Sequence, residues 1–181
     1  AMVSVVCSNA LSKSVIEEKI AEPAAILNRA RELVIERFGR SEKQIKDGMD
    51  ISLCAYHSDT GKVKWAGAHN PLWIIRSGSR EIEVIKADSQ PIGRYMLNEP
   101  FTAHALQLNK GDTMYLFTDG FSDQFGGEKS KKYKAANFKR FLLSIHDKDM
   151  DIQQQLLSDE FDRWKGELEQ IDDVCVMGVR V

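Results

Sequence analysis

Apolar positions change their period along the chain. From Val3 to Ile20 they fall at Val3, Val6, Leu11, Val15 and Ile16, mostly three to five apart, which predicts a helix. A second helix is predicted from Pro23, a residue suited to a first helical position because its missing N–H would be unpaired there. Its buried stripe is Ile26, Leu27, Ala30, Leu33, Val34 and Phe38, and Gly39 supplies the stop. Short extended runs follow. Strands are predicted at Ile51–Tyr56, around Val63, Trp65 and Gly67, at Leu72–Ile75, around Ile82 and Val84, at Phe101–Leu108 and at Thr113–Thr118. Turns at Ser58–Gly61, His69–Pro71, Ser77–Ser79 and Asn109–Asp112 separate them, which predicts an antiparallel meander. Two amphipathic helices come next, one carrying Phe138, Phe141, Leu142 and Ile145, the other Ile152, Leu156, Phe161, Trp164 and Leu168. The last run, Val174–Val179, is apolar on both faces and is expected as a central strand. Gly126 to Lys134 is polar and lysine-rich and is expected as a mobile loop. Helices segregated from antiparallel strands indicate the α+β class.

Composition narrows the setting. The 181 residues suit one domain spanning 1–181. A net charge of −2 with no long basic run argues against a nucleic-acid partner. Cys7, Cys54 and Cys175 are odd in number and far apart, which argues for a reducing, cytoplasmic setting and against a zinc site. No apolar run is long enough to span a bilayer, so no membrane contact is expected. The chain enters an apolar run at Met2–Val6 without a cap, so it is expected to be the C-terminal part of a larger protein.

Candidate chemistry lies at two places. At Phe117-Thr118-Asp119-Gly120 an apolar strand ends on an acid, and the glycine allows close approach to the backbone. At Gln170-Ile171-Asp172-Asp173-Val174 two acids open the final strand, and strand alternation would turn only one of them toward a shared site. Carboxylate oxygens suit magnesium or manganese, and two such ions can activate water against phosphorus. Acids beside glycine also serve as ordinary turn residues, and spacing alone leaves both readings open. Asn70 is equally a turn residue or a border of the cleft. Asp50 reads as a strand-start turn. Asp123, Gln124 and Gly126 either shape a loop over the cleft or cap a helical turn. The four histidines are in no ligand spacing. Lys131, Lys132 and Lys134 read as a solvated charged loop, with attraction of an acidic partner as the sharper alternative.

Four ordered motifs carry a family resemblance. Asp119-Gly120-Phe121-Ser122-Asp123-Gln124-Phe125-Gly126-Gly127 resembles the DG-x-x-DQFGG signature of SpoIIE-type bacterial phosphatases, relatives of the type 2C (PPM) metal-dependent protein phosphatases. Asp47–Cys54 resembles that family's DGMDIALC strand, Trp65–Leu72 its AGANNPL turn, and Gln170–Val174 its Q-x-DDV ending. The resemblance implies a layered α/β/β/α sandwich of antiparallel sheets flanked by helices. It implies hydrolysis of phosphoserine or phosphothreonine with two Mn2+ or Mg2+ ions. It places Asp119 and Asp172 as metal ligands, Gly120 with its backbone close to the metals, and Asp173 and Asn70 in support.

The family's early Gly-Asp motif and GHGVPG segment have no match here, so the sandwich is expected to miss its first strands and one bridging acid. Weak metal binding and poor activity of this chain alone follow as expectations. So does exchange of elements between chains, giving a homodimer. The implied partners are a phosphorylated regulatory protein, an anti-sigma-factor antagonist by resemblance, and N-terminal sensor or helical domains. The alternative is a non-catalytic binding or dimerisation module that keeps the fold.

Overall fold

A computed structural model describes residues 2–39, 48–96 and 99–181. Asp47 of the second motif lies outside the described residues. The chain forms two compact units, Ala1–Pro71 with Lys86–Leu108, and Leu72–Ile85 with Asn109–Val181. Both combine helices with antiparallel ladders, so the α+β class is as expected.

In the first unit, α1 (Met2–Ser12) runs into a π-helical turn at Lys13–Glu17, and α2 spans Pro23–Gly39. The helix from Val3 thus stops before Ile20. Val15 and Ile16 are exposed, because widening the helical turn rotates them off the apolar stripe. Leu27, Ala30 and Val34 of α2 are fully buried with Cys7 of α1 and with Ala66 and Ala68 of the sheet. That sheet has the order β1-β2-β5, from β1 (Ile51–His57), β2 (Lys62–Ala68) and β5 (His104–Gln107). Trp65 is 1% exposed, and its Nε1 donates to Ser52 Oγ at 2.7 Å.

The second unit holds the sheet β4-β3-β6-β9, from β3 (Leu72–Ile75), β4 (Ile82–Ile85), β6 (Thr113–Phe117) and β9 (Val176–Arg180). A short α3 (Gly120–Asp123) follows β6. Then come β7 (Phe125–Gly126), β8 (Lys131–Lys132), α4 (Ala135–Ile145) and α5 (Met150–Lys165). The core packs Trp73, Ile75 and Tyr115 of the sheet against Phe121, Phe138, Leu142 and Phe161 of the helices. Phe121 stacks on Phe138 at 4.5 Å, and each such buried ring contributes about 2–3 kcal/mol.

Five expectations are corrected. The strands form no simple meander, because the chain alternates between the two sheets and only β1–β2, β3–β4 and β7–β8 pair in sequence. The final strand is an edge strand, and Met177 on it is 57% exposed. The segment expected as a mobile loop contains the β7–β8 hairpin and the buried Tyr133. Helix α5 buries Gln153 rather than Ile152, since Gln153 accepts from Tyr115 Oη at 2.6 Å and donates to the Lys148 carbonyl at 2.8 Å. That helix ends before Leu168, where Gly166 takes a φ of 56°.

Candidate active site

The β6–β9 ladder brings the two acidic segments together. Its last pair is Phe117 with Val176, and the Thr118 N–H still donates to the Cys175 carbonyl at 3.0 Å. The antiparallel register then delivers Asp119 beside the stretch that carries Asp172 and Asp173. Those two acids lie in irregular chain before β9, not inside it. Strand alternation therefore does not separate them, which corrects the expectation based on it.

Three residues set the position of Asp172. On its C-terminal side, Thr118 Oγ1 donates to the Asp173 carbonyl at 2.8 Å and accepts from the Cys175 N–H at 3.0 Å. On its N-terminal side, the fully buried Gln124 donates to the Glu169 carbonyl at 2.9 Å and accepts from the Ile171 N–H at 3.3 Å. Gly120 closes the arrangement, because a Cβ there would lie 2.5 Å from the Asp173 carbonyl oxygen. Asp172 is thus bracketed between residues tied to the turn that carries Asp119.

The local geometry of each acid differs. Asp119 is exposed at the start of α3, and its carbonyl accepts from the Asp123 N–H at 2.9 Å and from Ser122 Oγ at 3.0 Å. Asp172 is exposed, and its Oδ1 accepts from the Asp173 N–H at 2.7 Å. Asp173 meets the Asp119 turn through its backbone carbonyl, and its side chain is exposed. Asn70 lies in the first unit, after β2, where its N–H donates to the Ala68 carbonyl at 2.7 Å. Its neighbour His69 adopts a φ of 59° and sets Nδ1 2.8 Å from Asp50 Oδ1. That pairing gave no sequence signal, because nineteen residues separate the partners.

The donor set is of the right kind for a hard divalent cation: carboxylate oxygens on adjoining, anchored turns. Among the described residues no group of three His, Cys, Asp or Glu side chains could hold a metal. Sequence reasoning missed the roles of Gln124 and Thr118. The only available signal was the glutamine of the DG-x-x-DQFGG string.

A family model described as Stage II sporulation protein E (SpoIIE) matches residues 1–181. No curated protein matches the chain significantly. The SiaA-PP2C domain of Pseudomonas aeruginosa is similar at a TM-score of 0.85 and 24% identity, over 100% of this chain and 70% of that one. The PP2C phosphatase domain with a fragment of the regulatory domain of SpoIIE from Bacillus subtilis gives 0.70 and 21%, over 99% of this chain and 48% of that one. RsbX in complex with magnesium gives 0.65 and 13%, over 98% and 74%. At these identities the structures establish a shared fold.

Proposed function

The chain belongs to the SpoIIE family, and on that premise we propose that it is a metal-dependent protein phosphatase domain acting on phosphoserine or phosphothreonine of a regulatory protein. The observation that carries this reading is the bracketing of Asp172 beside the Asp119 turn by Gln124, Thr118 and Gly120. Asp119 and Asp172 would hold Mn2+ or Mg2+. A bound divalent cation supplies charge that polarises the phosphoryl group and makes water nucleophilic at neutral pH. The residues of this chain anchor and orient. Thr118 and Gln124 prevent the two turns from parting, Gly120 admits close approach, and Asp173 supports the arrangement through its carbonyl. We read the two compact units as parts of one phosphatase domain, since the SiaA-PP2C match extends over both. A cytoplasmic setting fits the three free cysteines, with burial pushing the Cys54 thiol up to about 11.

Among the described residues no third acid joins these two carboxylates, so this chain alone should be a weak catalyst. The test pairs the chain with a version extended upstream, assayed with manganese and a chromogenic phosphate ester. Manganese-dependent hydrolysis by the extended protein, lost by on the order of a hundredfold or more in Asp119→Asn, supports the reading. Activity that is indifferent to Asp119→Asn or to manganese overturns it. Equal activity of the two lengths removes the missing-ligand part. A non-catalytic module is the second reading. It is favoured by the lack of a three-ligand cluster among the described residues, and total inactivity of the extended protein with manganese would establish it.

A further inference from the structure

We propose that the β7–β8 hairpin and the first turns of α4 form a docking strip for an acidic stretch of a protein partner. The identity of that partner as the substrate rests on the phosphatase reading; the strip itself does not. Residues 125–140 carry Lys129, Lys131, Lys132, Lys134, Lys139 and Arg140 against one acid, Glu128, in a chain whose net charge is −2. All but the half-buried Lys139 are exposed.

Helical surfaces elsewhere mix signs. Arg29 pairs with Glu18 and Glu32, Arg163 with Glu160, and Lys165 with Asp162. In the strip only Lys132 has an acidic partner among the described residues, Asp123 at 2.7 Å. Unpaired like charges that are neighbours in the chain raise a local positive potential that attracts anions.

The strip is also fastened to the candidate site. The Tyr133 N–H donates to the Gln124 carbonyl at 2.9 Å and the Lys134 N–H to the Ser122 carbonyl at 2.7 Å. Ser122 in turn donates to the Asp119 carbonyl. Lys134 holds φ 73° and ψ 145°, a backbone state that a lysine adopts only when its surroundings impose it. The hairpin is therefore a fixed surface beside the Asp119 turn rather than a solvated loop. A polypeptide with glutamates or aspartates around its phosphoserine could engage the lysines while its phosphate sits at the candidate site.

The test is fluorescence anisotropy in metal-free buffer with labelled unphosphorylated peptides, one glutamate-rich and one neutral. The acidic peptide should bind more tightly than the neutral one and weaken with added salt. Its affinity should fall on the order of tenfold in Lys129→Glu/Lys131→Glu, and by less in Lys129→Gln/Lys131→Gln. Equal binding of the two peptides, or equal binding by the wild type and both variants, overturns the proposal. Lysine-dependent binding that is tighter to phosphatidylserine vesicles or single-stranded RNA also overturns it. Because no turnover is measured, this result stands apart from the Asp119→Asn assay, and either can fail alone.

Discussion

Gly120→Ala tests the contact that joins the two acidic turns. The added Cβ would lie 2.5 Å from the Asp173 oxygen, 3.0 Å from its carbonyl carbon and 3.1 Å from Val174 Cγ2. Two of these atoms are backbone, so a rotamer change brings no relief. Ordinary contact begins at 3.4 Å, and the turns must therefore part by about 0.9 Å. That movement carries the Thr118–Asp173 hydrogen bond from 2.8 Å to beyond bonding distance. Overpacking costs about 1–3 kcal/mol and the lost bond about 1 kcal/mol. Replacing a glycine at the start of α3 returns about 0.5–1 kcal/mol through the unfolded chain. The net expectation is a loss of about 1–3 kcal/mol, read as a urea midpoint lowered by about 1 M. In the upstream-extended protein, manganese affinity measured by calorimetry should drop on the order of tenfold or more. A variant as stable as the wild type, with unchanged manganese affinity, would refute the claim that this approach holds Asp172 beside Asp119.

Gln124→Leu should cost about 2–4 kcal/mol, because it strips partners from the Phe125 and Glu169 carbonyls and the Ile171 N–H; thermal melting checks stability and manganese titration of the extended protein checks the release of Asp172. Asp112→Asn should cost about 3 kcal/mol at neutral pH, since the buried carboxylate pairs with Arg76 and accepts from the Ser77 and Asn109 amides. Burial works to raise the Asp112 carboxyl, but the two amides and the Arg76 guanidinium together outweigh it and hold it below the ordinary carboxylate range. Its stabilisation is therefore complete above an unfolded value of 3.8 and lost as pH falls through the lower folded value. Urea unfolding across that acid range should show wild type and Asp112→Asn converging; a constant gap would contradict the sign.

Much of this protein was legible from residue order. The apolar stripe of α2, the run Thr113–Phe117 ending on Asp119-Gly120, and the four motifs in sequence led to the α+β class and the family. These features are local, because period reports which side of an element meets a core. Ile152 and Gln153 show where that logic ends. The polar residue is inside because Tyr115 and the Lys148 carbonyl supply its hydrogen bonds, a fact stored in other elements. The run Val174–Val179 is apolar on both faces, and its strand still lies at a sheet edge, since strand order depends on long-range pairing.

The site divides the same way. The sequence by itself determined that Asp119 ends a strand beside a glycine and that Asp172 lies in a late acidic pair. Only the tertiary structure decided that Gln124 and Thr118 reach across to grip the chain on either side of Asp172. The physical reason is that buried polar atoms must be satisfied wherever a partner is available. For these two residues the partners arrive from segments more than forty positions away.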